Sequence, residues 1–280
     1  METGCIAPPE YLYDQAWDHE RARLQALEAL FDPTSRFFIE RLGVGAGWRC
    51  LEVGFGAGGV AVWLADRVSP SGRVLATDLD PRLLPSDSRA NLEIRRFDLL
   101  RDRLGSETGC GPFDLVHARA VLEHVPDRDL ALGRLIEVVR PGGWLVIEDI
   151  DVAGSAMRAV AERYAWPPAA RPVYERCIAA LQVVLSEGGR DPGYGAMLPA
   201  ALRDAGLHDV GAQLHAPIIA GGAPRDCMRL TFEYLSERLL ATGLIDRHAF
   251  EQFLDLTRDC EFQYIPLFMV TAWGRRAVVG

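Results

Sequence analysis

Residues 51–59 read LEVGFGAGG, an apolar strand run that passes directly into a glycine-rich turn and then into a helical segment. Gly54, Gly56 and Gly58 let the backbone turn sharply and approach a bound molecule closely, a freedom that a Cβ removes. The chain around this unit keeps the same rhythm. Strand-like runs occur at 48–53, 73–78, 92–98, 113–119 and 143–149, with helical segments at 58–68, a short one around 81–89, and one at 127–139 that Pro141-Gly142-Gly143 should end. Strands separated by helical crossovers form a parallel sheet covered by helices on both faces, so the fold class predicted is a doubly wound α/β domain.

On either side of this core the pattern changes. Tyr13, Trp17, Leu24, Leu27 and Leu30 are spaced for an amphipathic helix over 12–31, closed by Pro33 and followed by a short helix over 34–42. Beyond 150, helical stretches at 155–165 and 172–187 flank Trp166-Pro167-Pro168. A helix at 196–205, a strand at 210–216, helices at 224–242 and 246–259, and a last strand run over 261–273 complete the chain. With no internal repeat and no long linker, residues 1–280 are expected to form one domain. Its parts would be an N-terminal helical cap (1–42), a core (43–151), a helical lid insertion (152–195) and a C-terminal part of the sheet with helices (196–280).

Charge and residue usage exclude several functions. The 39 acidic against 30 basic residues give a formal charge of −9, and no basic run exceeds the pairs Arg95-Arg96 and Arg275-Arg276, so no nucleic-acid partner is expected. Every basic residue is arginine. Without lysine there is neither a Schiff base to a carbonyl nor a P-loop lysine. The six cysteines contain no C-x-x-C pair and the six histidines no H-x-x-x-H pair, so no metal is expected. The N-terminus lacks a basic region followed by an apolar one, and no segment reaches 18 apolar residues. The expected setting is cytoplasmic, with no membrane contact.

Residues 54–59 formally satisfy G-x-G-x-x-G, which alone is a weak dinucleotide signal. Asp78, ending the second strand run, can accept both hydroxyls of a ribose, while Asp80 before Pro81 suits the helix N-cap better. Asp98, closing the third run, can accept from an adenine amine. Glu52 separates the cofactors. It sits two residues before Gly54, where a dinucleotide places its pyrophosphate, and a carboxylate there repels phosphate. S-adenosylmethionine carries a sulfonium, an ammonium and no phosphate.

These residues, with FDLVHARAVLEHVPD (113–127) and RPGGWLVIEDID (140–151), resemble the class I S-adenosylmethionine-dependent methyltransferases, strongly over 42–151 and weakly over 191–210 and 261–275. The resemblance implies a Rossmann-like seven-stranded sheet ordered 3-2-1-4-5-7-6 with the last strand antiparallel. It also implies Glu52, Gly54, Gly56 and Gly58 around the methionine moiety, Asp78 at the ribose, Leu79, Asp98 and Leu99 at the adenine, and Ala118 and Arg119 on the sulfonium side. Phe55 departs from the small residue usual between the first two glycines. The segment YLYDQAWDHERARLQAL (11–27) is similar to the leading helix of an actinobacterial small-molecule subgroup, in which Tyr13, Trp17 or Arg23 would reach the cofactor's carboxylate end.

Methyl transfer needs a base only when the acceptor is a hydroxyl or a protonated amine. Glu148, Asp149 and Asp151 after the fifth strand and His124 after the fourth are the candidates. Trp166, Tyr164, Tyr174 and Tyr194 are the aromatic candidates for an acceptor pocket under the lid. The expectation is therefore methyl transfer to a small-molecule acceptor, an O-methylation in secondary metabolism, with a homodimer as one assembly open to the chain. The alternatives are a cofactor-binding cyclase that transfers no methyl, or an N- or C-methyltransferase. A nicotinamide-dependent reductase is disfavoured by Glu52 and by the missing lysine.

Overall fold

A computed structural model describes residues 12–13, 17–83, 89–104, 111–220 and 222–278. Its centre is a seven-stranded sheet: β1 (Arg49–Val53), β2 (Arg73–Asp78), β3 (Leu92–Arg96), β4 (Phe113–Arg119), β5 (Val139–Ile150), β6 (His208–His215) and β7 (Met269–Arg275). The order is β3-β2-β1-β4-β5-β7-β6. The first five strands are mutually parallel, while β7 runs antiparallel to both β5 and β6. This is the order that the resemblance implies. The parallel strands read as continuous apolar runs because helices cover both faces: Cys50, Leu51, Leu115, Val116, Leu145 and Val146 are all fully buried.

Helix α1 (Glu20–Arg41) is continuous, which corrects the expectation of two helices broken at Pro33. Proline removes one backbone hydrogen bond. Ala26, Leu30 and Phe31 before it and Phe38 and Ile39 after it are all buried, and that packing carries the helix through. Pro141-Gly142-Gly143 likewise ends no helix. Helix α3 (Arg128–Val138) passes at Val139 directly into β5, and the three residues lie in a bulge, since Phe113 pairs with Val139 but Leu115 with Trp144. Gly142 takes φ +75° there.

Helix α2 (Gly59–Val68) follows the glycine turn. The segment expected as a short helix is a 3₁₀ turn over Pro81–Leu83, and the rest of it, 84–88, lies outside the described residues. Beyond β5 come α4 (Ser155–Tyr164), α5 (Arg171–Leu185) and α6 (Leu198–Asp204). The helix expected over 224–242 is two, α7 (Asp226–Tyr234) and α8 (Ser236–Ala241), followed by α9 (Arg247–Arg258). The last strand starts at Met269 rather than 261, because Gln263 and Tyr264 make isolated bridges to Trp166 and Ile219. Helices α5, α7 and α9 share an apolar cluster with Tyr13, Leu30 and Phe31 and with Ile150 and Met269 at one end of β5 and β7. No described helix is long and apolar enough to cross a membrane.

Candidate active site

The carboxyl ends of β1, β2, β4 and β5 open into a cavity of about 340 Å³, the position where open α/β sheets bind ligands. Of the sequence-based candidates, Tyr13, Arg23, Glu52, Gly54, Gly56, Asp78, Leu79, Asp98, Leu99, Arg119 and His124 line it. Gly54, Gly56 and Gly58 have φ of +69°, +60° and +99°. At Gly54 a Cβ would also strike Val121.

Asp78 is held in place by two backbone donors, Gly56 N–H at 3.2 Å and Asp80 N–H at 3.1 Å. Asp98 accepts from the backbone of Leu100 at 2.9 Å, which fixes the turn beside Leu99. Glu52 is 3 % exposed. Its Oε2 lies 2.6 Å from His117 Nδ1, and His117 Nε2 is 3.6 Å from Glu148 Oε2, too long for a hydrogen bond but close enough for ion pairing. Burial pulls the His117 imidazole down, yet the two flanking carboxylates outweigh it and hold it up at about 9. Burial also pushes Glu52 up, with His117 opposing. His117 is thus a cation that fastens Glu52 from beneath.

Helix α1 supplies groups that sequence reasoning missed. Glu28 lines the cavity, and its Oε1 accepts from Gly59 N–H at 3.0 Å at the start of α2. Asp32 Oδ1 receives the Arg119 guanidinium at 2.7 Å, and Ser35 Oγ receives it at 2.8 Å. Glu123 also lines the cavity. The signal for it was present as the acid next to His124 in LEHVPD, whereas nothing local marks Glu28.

Other candidates lie elsewhere. Gly58 stands behind the turn as the N-cap of α2, and Ala118 is fully buried within β4. Glu148 and Asp149 are buried and do not line the cavity. Glu148 is engaged by Ser35 Oγ at 2.5 Å and Thr271 Oγ1 at 2.7 Å, so it serves the interior. Asp149 Oδ1 accepts from Val121 N–H at 3.1 Å. The four aromatic candidates for the acceptor pocket are absent from the lining. Tyr164 and Trp166 point outward, 49 % and 55 % exposed. Tyr174 is core, its hydroxyl donating to the Ile265 carbonyl at 2.6 Å. Tyr194 packs under the Arg128 guanidinium. The apolar end of the cavity is built by Ile150, Leu181, Leu185, Met228, Leu267 and Met269 instead.

A glycine turn bordered by Glu52 and Asp78 at the carboxyl edge of a sheet in this order is the arrangement that the resemblance to S-adenosylmethionine-dependent methyltransferases implies. The profile of the family described as "Methyltransferase domain" matches residues 17–178, and the chain belongs to that family. Methyltransferase str3 of Strobilurus tenacellus is 35% identical over 136 residues, 46% of this chain and 46% of that protein. Methyltransferase GfsG of Streptomyces halstedii is 34% identical over 118 residues, 41% and 42% of the two chains. The match therefore spans about half the length of these curated relatives. In fold, the chain is similar to phosphoethanolamine N-methyltransferase 2 of Haemonchus contortus, solved with S-adenosyl-L-methionine, at a TM-score of 0.54 and 15% identity, covering 99% of this chain and 61% of that one.

The family's cofactor is S-adenosylmethionine, and the residues present fit it. Asp78 suits a ribose diol, and Glu28 and Glu52 suit a cationic, phosphate-free tail.

Proposed function

We propose that the chain transfers a methyl group from S-adenosylmethionine to a small-molecule acceptor, with a hydroxyl oxygen as nucleophile, in secondary metabolism. Bound there, the cofactor supplies an electrophilic methyl on a sulfonium. The observation that carries the reading is the Glu28 carboxylate on Gly59 N–H. It fills the anion position that a dinucleotide would need, so the acid-lined turn favours a cation.

The chain's own part is chiefly alignment. Asp78 and Asp98 hold the nucleoside, Glu52 and Arg119 border the cofactor's tail, and the apolar wall from α5 and α7 encloses the acceptor. Holding two reactants in line accounts for up to about 7–11 kcal/mol of a barrier. The enclosed volume suits a small apolar acceptor better than a protein or a polymer.

The test is to incubate the purified chain with S-adenosylmethionine and a panel of apolar phenols, alcohols, carboxylic acids, amines and carbon nucleophiles, following S-adenosylhomocysteine. Its accumulation with a hydroxyl compound supports the reading. Accumulation only with amines or carbon nucleophiles would contradict the choice of oxygen.

A further inference from the structure

Glu123 is a carboxylate that lines the cavity while only 5 % exposed. Its Oε2 accepts from Ile150 N–H at 2.9 Å, and its Oε1 lies 3.2 Å from His124 Nε2. Asp149 stands behind it, out of the cavity and fully buried, with an Oδ2 that finds no hydrogen-bond partner among the described residues. The other charges bearing on Glu123 are Asp191, which follows α5, and Arg128 on α3.

Two buried carboxylates in electrostatic contact do not both ionise readily. Burial, and after it the charge of Glu123, raises Asp149 well above its ordinary value, so of its two charge states the neutral one is favoured by its surroundings. Burial, then Asp191, brings Glu123 to about 7. Burial and the surrounding arginines press His124 down to about 3, which leaves it neutral and too weak to serve as the base itself. Its imidazole can instead donate to Glu123 Oε1 and hold the carboxylate in one orientation.

We propose that Glu123 is the catalytic base of this cavity, taking the proton from an acceptor hydroxyl, with Asp149 and His124 as its positioning residues. The inference rests on the methyl-transfer reading above. The acceptor O–H bond breaks with its proton going to a Glu123 oxygen. The acceptor oxygen forms the new C–O bond, and the electron pair of the breaking C–S bond stays on sulfur. A negative carboxylate and a positive sulfonium both end neutral. The proton then leaves Glu123 for solvent.

The test counts protons as well as turnover. Glu123→Gln keeps an oxygen to accept from Ile150 N–H, and Asp149→Asn gives a second, independent perturbation. A group titrating near 7 is half protonated at pH 7, so a cationic ligand that ionises it releases up to about half a proton. Calorimetry at pH 7 in buffers of different ionisation enthalpy should show proton release when S-adenosylmethionine binds and less with S-adenosylhomocysteine. That difference should vanish in Glu123→Gln and change in Asp149→Asn. With the hydroxyl compound that the panel returns, Glu123→Gln should lower kcat at saturating cofactor at least about a hundredfold. No release in the parent chain, equal release in Glu123→Gln, or an unchanged kcat would overturn the assignment. Failure of the parent chain to bind S-adenosylmethionine would defeat the methyl-transfer reading instead. Glu123 is then tested by infrared titration of the unliganded chain, where a carboxyl protonating near pH 7 should be missing from Glu123→Gln, and its persistence there would overturn the assignment.

Discussion

Glu28 on α1 and Gly59 at the start of α2 are joined by a 3.0 Å hydrogen bond from backbone N–H to carboxylate. An acid brought from 31 residues earlier in the chain caps the helix that opens the glycine turn, where Gly58 offers no side chain. The cap has a cost, since burial raises Glu28 above the ordinary carboxylate range, with the Gly59 N–H opposing. Glu28→Ala should destabilise the chain by about 1 kcal/mol, the usual size of a lost N-cap. Glu28→Gln should lose less, because its amide oxygen still accepts. Chemical denaturation of the three proteins checks this, and equal losses would mean that charge rather than capping matters.

Gly56 stands at φ +60°, and a Cβ built there meets nothing closer than 3.7 Å, from Glu28 and Leu24. Space is therefore available for a side chain, but it is space inside the cavity. Gly56→Val should fold with a lowered melting temperature from the left-handed backbone, and should lose cofactor binding. Calorimetry on the folded variant showing parent affinity would contradict this.

His117 makes stability depend on pH. Its folded value of about 9 lies above the ordinary 6.5, so its contribution is fully present below pH 6.5 and is lost as pH rises through 9. Glu148 has the opposite sign. Burial opposes its ionisation, but His117, Arg119 and Ser35 prevail and lower its value below the ordinary 4.5, so its contribution fades as the medium turns acid. Denaturation free energy should fall from pH 6.5 to 9 and flatten over that range in His117→Gln, which should also be the less stable protein at pH 6. A parent curve with no slope across that interval would remove the cation from between Glu52 and Glu148.

Trp166 is 55 % exposed, and its link to the chain is the backbone bridge with Gln263, which any residue can make. Trp166→Ala should therefore change stability by less than about 1 kcal/mol. It should also leave both cofactor and acceptor affinity as they are. Met228→Ala, which cuts into the apolar wall, should weaken the acceptor without touching the cofactor. Acceptor KM on the two variants separates the walls.

What was legible in the sequence was what is local. Glu52, the glycines and Asp78 sit at fixed offsets from strand ends, so reading the strands placed them. Asp98 and Leu99 followed in the same way, and the sheet order came with the resemblance. Contacts between distant segments left no such trace. Glu28 reaches Gly59 only because α1 runs unbroken through Pro33 and lies on α2, and no pattern near residue 28 announces it. The aromatic residues within 152–195 stand elsewhere than expected for a related reason. Tyr164, Trp166, Tyr174 and Tyr194 share a chemistry that suits pockets, cores and surfaces alike, and which of these applies is set by contacts with distant segments, as where Tyr174 meets Phe253, Phe262 and Tyr264. Glu148 and Asp149 stand at the right edge of the sheet but point inward, since a residue late in a strand buried on both faces has the interior on either side.

The most direct measurement titrates the chain, and its Asp78→Ala variant, with S-adenosylmethionine and separately with NAD. The acid-lined turn predicts that S-adenosylmethionine binds the parent chain, that Asp78→Ala weakens it by about tenfold or more, corresponding to at least 1.4 kcal/mol, and that NAD does not bind. Binding of NAD in place of S-adenosylmethionine, or an Asp78→Ala variant with parent affinity, would contradict the account.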